Sequence, residues 1–146
     1  MRSEHPEGEC LFCEIGSAEK DRENRVIFRA NHWYIIVNKF PYCSGHIMVV
    51  LNRHAENIGD LTNEESAEMM QLLSRCEKAV RAEFKPHGIN IGANLGRSAG
   101  AGIVGHLHLH LVPRWHGDTN FMTAVGETRV ISEDLDDTYK RIRSHF

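Results

Sequence analysis

The clearest pattern in the chain is the alternation of three histidines with three leucines over residues 106–111. Because side chains two positions apart in a β-strand point to the same face, the histidines would line one surface and the leucines would enter the core. The same spacing on a helix would scatter them around the helix axis. Same-face residues are about 6.6 Å apart, so the outer imidazoles begin roughly 13 Å apart and are not expected to meet at one small centre. We therefore predict a strand whose histidines perform different tasks, and the plain alternative is a polar face on an edge strand.

Apolar runs elsewhere predict further strands. Residues 25–38 contain two runs separated by the turn-like segment 30–32, which indicates an antiparallel pair. The continuous apolar run 47–51 predicts a third strand that is central and covered on both faces. Residues 89–94 alternate as a fourth strand that precedes the histidine strand, and a further short strand is expected over 128–131.

Two helices are predicted. Thr62 followed by Glu65 forms a capping box, and apolar residues then recur at helical spacing until Pro86 and Gly88 end the element. Met69 and Cys76 lie on this stripe and are expected in the core, with Cys76 acting as a small hydrophobic residue and not as a nucleophile. A final helix starts near residues 132–135 and is expected to pack as a cover or lid.

Length and composition narrow the class of protein. A chain of 146 residues with 41% hydrophobic and 25% charged residues predicts a single domain over 1–146, with residues 1–9 flexible and 116–146 forming a C-terminal loop and helix. A net charge of -3 gives no reason to expect nonspecific binding to nucleic acid or to an anionic membrane. The sequence shows neither an apolar run of about 20 residues nor a signal peptide, so we expect a cytoplasmic protein.

The four cysteines are better explained as thiols or metal ligands than as a disulfide framework. Cys10 and Cys13 are separated by two residues, a spacing that lets both sulfurs reach one tetrahedral metal ion. The same spacing also occurs in redox pairs. If zinc is bound, two further ligands must come from elsewhere in the chain.

A loop with three glycines, at residues 96–102, leads into the histidine strand. Glycines permit the backbone to turn its N–H groups inward and form a nest for an anion. The loop lacks the Gly-Lys-Ser/Thr ending of a Walker sequence, and no helix follows as in a dinucleotide-binding unit. On its own the loop could be a flexible hairpin, but its position beside three histidines favours phosphate binding.

The histidine pattern, with a Gly/Ala-rich loop before it and Pro113-Arg114 after it, resembles the signature of the histidine triad family of nucleotide hydrolases and transferases. The resemblance runs from Cys10 to about Trp115 and includes residues 38–41, 45–50, 53–54 and 60–61. It implies an α+β fold, in which an antiparallel sheet of about five strands is flanked by one long helix and a C-terminal helix. It also implies a homodimer in which the two sheets join.

The resemblance implies roles for the histidines. His108 would attack the α-phosphorus of a nucleotide and form a covalent nucleotidyl-histidine intermediate, while His110 would contact the phosphate and assist protonation of the leaving group. The chemistry requires a neutral imidazole, which is available near pH 7. The residues that would bind substrate are Phe12 and Ile15 at the base, Asn38 at the ribose, and Asn94, His46, Ala99, Gly100, Ala101 and Gly102 at the phosphates.

The resemblance also completes a metal site. In zinc-carrying relatives, the two amino-terminal cysteines, a histidine after the third strand and the first triad histidine hold zinc. The matching residues here are Cys10, Cys13, His54 and His106. A closed site of two cysteines and two histidines is structural, so no direct part in catalysis is expected for the metal.

Departures from the hydrolase pattern point to a subfamily. Many hydrolases carry a polar Gln or Ser where this chain has Gly102 and Val104. The loop 94–105 and the tail 115–130 are more similar to the bacterial branch that includes diadenosine tetraphosphate phosphorylases. An enzyme that cleaves dinucleoside polyphosphates, with inorganic phosphate or water as acceptor, is therefore expected.

Three other functions stay open at this stage. The first is hydrolysis of adenosine phosphoramidates within the same family. The second is a non-catalytic AMP sensor that uses the same pocket. The third is a metal-dependent enzyme in which His106 and His108 bend onto one catalytic ion.

Overall fold

The computed structural model describes residues 10–39, 43–100, 105–118 and 135–146. Its centre is one five-stranded sheet in which every neighbouring pair is antiparallel. The strands are β1 (Val26–Arg29), β2 (Trp33–Val37), β3 (Ile47–Leu51), β4 (Gly88–Gly92) and β5 (His108–Arg114). The helices are α1 (Leu11–Ser17), α2 (Asp21–Asn24), α3 (Asn63–Phe84) and α4 (Leu135–Arg143), with 3-10 turns at Ile58–Asp60 and Arg97–Ala99. None of these helices combines the length and apolar character that crossing a bilayer requires.

The strand order is β1-β2-β3-β5-β4. The three strands predicted over 25–51 form an antiparallel meander, and α3 then carries the chain to the far edge of the sheet, where β4 begins. The turn back from β4 inserts β5 between β3 and β4. The histidine strand is therefore internal, and the alternative of an edge strand is wrong. The predicted short strand over 128–131 lies outside the described residues.

The sheet has two covered faces, which we call the leucine face and the histidine face. On the leucine face, Leu107, Leu109 and Leu111 join β3 residues and buried residues of α3 and α4 in one apolar cluster. On the histidine face, a smaller cluster joins α1 to the sheet through Phe12, Val26, Tyr34, Ile36, Met48 and Val50. Because odd and even residues of β3 enter different clusters, this strand is central and covered on both faces, as predicted.

The long helix α3 begins at the predicted capping box. The hydroxyl oxygen of Thr62 accepts from the main-chain N–H of Glu65 at 3.1 Å, and the Glu65 carboxylate accepts from the N–H of Thr62 at 2.9 Å. The helix ends at Lys85, which adopts a left-handed conformation with a φ of 48°. Cys76 is fully buried in the leucine-face cluster, and Met69 packs against that cluster. Burial raises the pKa of the Cys76 thiol to about 12, so it is not a nucleophile at neutral pH.

The C-terminal helix α4 covers the leucine face. Tyr139 and Ile142 are buried in the leucine-face cluster, and the helix packs against α3, β1 and β2. Of the two alternatives, cover or lid, the structure shows α4 as a cover on the leucine face. A helix packed on the leucine face is separated from the histidines by the thickness of the sheet.

Candidate functional site: a histidine face and a cysteine–histidine cluster

The position of β5 in the sheet determines where its histidines lie. His108 pairs with Val50 and His110 pairs with Met48, two β3 residues of the cluster under α1. His106 precedes the strand, but Leu107 is held in register because its N–H donates to the carbonyl oxygen of Ala55 at 2.7 Å and its own carbonyl accepts from Leu51. The alternation therefore continues back to His106, and all three histidines lie on the histidine face.

The ring of His108 is oriented by the main chain. Its Nδ1 lies 2.8 Å from the carbonyl oxygen of His106, and because a carbonyl can only accept, Nδ1 carries the proton. The Nε2 atom of the neutral ring then has a free lone pair. His108 is only 6% exposed, and burial lowers its pKa, so the neutral form dominates at pH 7. The structure thus holds a neutral imidazole with a defined nucleophilic nitrogen.

The ring of His106 is oriented in the opposite sense. Its Nε2 donates to the carbonyl oxygen of Leu51 at 2.6 Å, which leaves Nδ1 without a proton. Burial lowers the pKa of His106 to about 4, so this ring is neutral as well. Its Nδ1 faces the sulfurs of Cys10 at 3.3 Å and Cys13 at 3.4 Å. His106 therefore offers a lone pair to the cysteines while its carbonyl holds His108.

Cys10, Cys13, His54 and His106 come together at one point, with their potential ligand atoms all within 4.8 Å of one another. The Nδ1 atom of His54 lies 3.3 Å from the sulfur of Cys13. Ligands of a tetrahedral zinc ion, with bonds of about 2.3 Å to sulfur and 2.0 Å to nitrogen, lie roughly 3.5 Å apart, close to these separations. Cysteine sulfurs, which bind as thiolates, and imidazole nitrogens are donors that zinc prefers. The cluster could therefore hold a zinc ion, which fits it better than the redox-pair alternative for the two cysteines.

A second pair of rings lies beside the nucleophile. The Nε2 atom of His46 lies 2.9 Å from Nδ1 of His110 and 3.1 Å from the amide nitrogen of Asn38. His46 is fully buried just before β3, while His110 is partly exposed and its ring centre is 5.1 Å from that of His108. Burial lowers the pKa of His110. A chain of hydrogen-bonding groups thus runs from Asn38 through His46 to the partly open ring of His110.

The helix α1 covers the histidines. Phe12 lies between the two cysteines in sequence, is 2% exposed, and packs its ring 4.8 Å from that of His108 and 5.6 Å from that of His106. The Tyr34 hydroxyl donates to the Phe12 carbonyl oxygen at 2.8 Å and ties α1 to β2. Ile15, one turn further on, packs partly buried against the same cluster.

The glycine-rich loop begins where β4 ends. The Asn94 side chain donates to the carbonyl oxygen of Gly100 at 3.4 Å and closes the loop on itself. Gly96 and Gly100 adopt φ angles of 84° and 92°, which explains the glycines at these two positions. Ala99 lies in the 3-10 turn between them. The predicted phosphate contacts Ala101 and Gly102 lie outside the described residues.

Two features of the site were missed by the sequence analysis. The Leu51 carbonyl selects the tautomer of His106, and because it is a main-chain group, no residue type signals its role. Arg53, beside His54, donates to the Glu65 carboxylate at 2.8 and 2.9 Å and to the carbonyl oxygen of Asp60. This ion pair anchors the segment that carries His54 to the start of α3. The sequence shows only that Arg53 is next to the candidate ligand His54, and it does not reveal that Glu65 is the partner of Arg53.

Comparisons with known proteins identify the family of this chain. The model of the HIT domain matches residues 19–117. The AP-4-A phosphorylase of Mycobacterium tuberculosis is 41% identical over 126 residues, which cover 86% of this chain and 65% of that protein, so the chain spans just under two thirds of this relative. The bis(5'-adenosyl)-triphosphatase of Saccharomyces cerevisiae is 32% identical over 92 residues, covering 62% of this chain and 44% of that protein.

A solved structure supports the same assignment. A Zn-bound histidine triad family protein from Mycobacterium smegmatis matches with a TM-score of 0.74 and 28% identity, covering 94% of this chain and 92% of that one. The region matched by the HIT model contains the five strands and the three histidines on which the resemblance was based. The chain therefore belongs to the HIT, or histidine triad, family.

Proposed function

We propose that this protein cleaves dinucleoside polyphosphates, with diadenosine tetraphosphate as substrate, through a covalent nucleotidyl-histidine on His108. The observation that carries the proposal is the hydrogen bond from Nδ1 of His108 to the carbonyl oxygen of His106 at 2.8 Å. It leaves the lone pair of Nε2 available for attack on the α-phosphorus. The Nε2–phosphorus bond forms as the bond from phosphorus to the bridging oxygen breaks, and the remaining polyphosphate leaves.

The same hydrogen bond serves the intermediate. Once Nε2 is bonded to phosphorus, the ring of His108 carries a positive charge, and the His106 carbonyl dipole stabilises it through the Nδ1 proton. The ring lies in a largely buried environment, where such an interaction is stronger than in water. In the second step, an oxygen of the acceptor, inorganic phosphate or water, bonds to phosphorus and Nε2 leaves as the neutral imidazole.

His110 and the residues behind it are suited to the leaving group. His110 is adjacent to His108 on the same face, and it is backed by buried His46 and by Asn38. These hydrogen bonds orient the His110 ring toward a phosphate at His108 and support proton delivery to the departing oxygen. Asn38 directly follows β2. Its proposed role is to hydrogen-bond a ribose hydroxyl of the substrate.

We propose that Cys10, Cys13, His54 and His106 bind zinc. The distances between their ligand atoms and the tautomer of His106 support this assignment. The metal, when bound, would supply a structural cross-link and no reacting group, because four protein ligands complete its tetrahedral shell. The metal site would be connected to the nucleophile by the protein itself, because the carbonyl oxygen of His106 orients the ring of His108.

The alternative of a catalytic metal shared by His106 and His108 is not favoured by these contacts. Both ring nitrogens of His106 are already directed elsewhere, one to Leu51 and one to the cysteines. The Nδ1 atom of His108 is bonded to a carbonyl oxygen. The two rings therefore do not present a pair of lone pairs to one open metal position.

The relatives support the proposed substrate and acceptor. The relatives named above as an AP-4-A phosphorylase and a bis(5'-adenosyl)-triphosphatase support an adenine dinucleotide as substrate. The higher identity to the phosphorylase supports inorganic phosphate as acceptor. Phe12 and Ile15 on α1 are the proposed base contacts, and Asn94, Ala99, Gly100, Ala101 and Gly102 the proposed phosphate contacts.

We also propose a homodimer formed along β4, in a cytoplasmic protein. This strand pairs only with β5 in the described structure, so its outer edge is open. Ile91 on β4 and Leu95 just after it are 45% and 42% exposed, which is unusual for large apolar side chains at a sheet edge. Pairing of two such edges would bury both side chains and join the two sheets.

Product identification tests the function. Purified protein is incubated with diadenosine tetraphosphate, with and without inorganic phosphate, and the nucleotides are separated by chromatography. ADP and ATP formed only with phosphate would support the phosphorylase, whereas AMP and ATP in both conditions would identify a hydrolase. Absence of cleavage in both conditions would reject the proposal and leave phosphoramidate hydrolysis and AMP sensing, which turnover of adenosine phosphoramidate and AMP binding distinguish.

A further inference from the structure

The glycine-rich loop carries one arginine, Arg97, that is exposed and unengaged. Among the arginines in the described part of the chain, the side chains of Arg22 and Arg97 alone have no hydrogen bond, ion pair or ring contact there. The others are held by carboxylates, carbonyl oxygens or aromatic rings. Arg22 lies on α2 next to β1, at the opposite edge of the sheet from the loop.

The sheet register places the base of this loop beside the histidines. Gly92 on β4 pairs with His110, and directly paired residues of an antiparallel sheet share a face. Asn90 agrees with this assignment of β4 residues to faces, because its side chain contacts Arg114 on the histidine face. Two residues past Gly92, Asn94 continues this face while Ala93 packs into the leucine-face cluster. The loop that Asn94 closes onto Gly100, with Arg97 within it, therefore extends from the edge of the histidine face.

In the part of the chain that the structure describes, the arginine that β5 places on the histidine face is already engaged and is not available to a polyphosphate. The arginine of β5 on this face, Arg114, is bonded to the Asp118 carboxylate at 2.6 and 3.0 Å and to the Asn90 side chain at 2.9 Å. Its charge is therefore already neutralised by a carboxylate. A dinucleoside tetraphosphate carries several negative charges beyond the phosphorus that is attacked, and arginine is the residue best suited to bind phosphate oxygens in a bidentate manner.

We propose that Arg97 is a specificity-determining residue that binds the phosphates of the leaving group beyond the α-phosphate. The inference rests on the proposed function and deepens it, since it defines the class of substrate as one with a long, charged polyphosphate chain. A short leaving group, such as the amine of adenosine phosphoramidate, does not extend to Arg97. Arg97 thereby favours dinucleoside polyphosphates over phosphoramidates at the same nucleophile.

The test compares Arg97→Gln with the matched control Arg22→Gln, on diadenosine tetraphosphate and on adenosine phosphoramidate. Loss of a charge-assisted hydrogen bond to phosphate predicts a fall of about 10- to 100-fold in kcat/KM for the tetraphosphate, and less than about twofold for the phosphoramidate. Arg97→Lys should recover part of the loss, because it keeps the charge without the bidentate geometry. Arg22→Gln should match the wild type on both substrates.

Several results would overturn the inference while leaving the proposed function standing. They are wild-type rates for Arg97→Gln on the tetraphosphate, equal losses on both substrates, or a rise confined to the KM for inorganic phosphate. The last result would assign Arg97 to the acceptor instead of the leaving group.

A binding measurement separates this inference from the proposed function. Calorimetry compares binding of diadenosine tetraphosphate to His108→Asn and to the double variant that also carries Arg97→Gln. Weaker binding by the double variant supports the inference even if the wild type does not cleave the compound, in which case only the proposed function fails. Equal binding by the two variants, or none by either, overturns the inference.

Discussion

The carbonyl oxygen of His106 accepts a hydrogen bond from Nδ1 of His108 at 2.8 Å, and the side chain of His106 belongs to the cysteine–histidine cluster. One residue thus joins the candidate metal site and the candidate nucleophile, through two different parts of its structure. The connection is short because His106 and His108 are only two positions apart in the chain. It explains how a structural metal site could influence turnover without touching a substrate.

The nucleophile can be tested by the substitution His108→Asn. The introduced amide could still donate to the His106 carbonyl, but it has no nucleophilic nitrogen, so turnover of the tetraphosphate should fall by at least about 10³-fold. Steady-state kinetics measure the loss. Circular dichroism and metal content should match the wild type, and activity close to that of the wild type would contradict the role of His108.

The metal ligands can be tested with Cys13→Ser. Loss of one thiolate should leave the protein with substoichiometric zinc after dialysis and lower its Tm by about 5–10 °C, because bound metal stabilises only the folded state. Mass spectrometry of the metal and thermal unfolding provide the measurements. Cys43→Ser is the matched control, because Cys43 contacts the Pro113 carbonyl and lies outside the cluster. Equal zinc content in the two variants would rule out the assignment.

The ion pair between Arg53 and Glu65 predicts a pH-dependent stability. Hydrogen bonding to Arg53 lowers the pKa of Glu65 to about 2 from its ordinary value of 4.5. A lowered pKa in the folded state means that the stabilisation is complete above about pH 4.5 and is lost as the pH falls toward 2. Glu65→Gln should therefore reduce the free energy of unfolding at pH 7 by about 2 kcal/mol, an amount discounted because Arg53 is half exposed.

Urea unfolding at several pH values measures this effect. The difference between the wild type and Glu65→Gln should narrow progressively below pH 4.5. Glu64→Gln, at the exposed neighbouring position in the first turn of α3, serves as the control and should change stability by less than about 0.5 kcal/mol at any pH. A difference that stays constant from about pH 7 to about pH 3 would show that the charge of Glu65 does not contribute.

The buried hydrogen bond from Tyr34 to Phe12 predicts a cost in stability. Tyr34→Phe removes the donor of this buried hydrogen bond, so the free energy of unfolding should fall by about 1 kcal/mol. Tyr139→Phe is the control, because the described structure shows no hydrogen bond from the Tyr139 hydroxyl. Chemical denaturation compares the two, and an equal effect of both substitutions would show that the bond to Phe12 is not responsible.

The sequence predicted the local features of this protein because they depend on residues that are close in the chain. The period of two around His108 determined which side chains share a face, and the capping box at Thr62 marked the start of α3. The apolar run at 47–51 indicated a central strand. These patterns follow from backbone geometry and burial, which act within a few residues.

Tertiary structure decided what depends on residues distant in sequence. The insertion of β5 between β3 and β4 made the histidine strand internal, and the packing of Tyr139 and Ile142 on the leucine face made α4 a cover on that face. The tautomers of His106 and His108 are determined by the carbonyl oxygens that accept from their rings, and one of these oxygens belongs to Leu51, 55 residues from His106 in the chain. A residue type does not reveal its hydrogen-bond partner, and the partner here is a main-chain atom that the sheet places beside the ring.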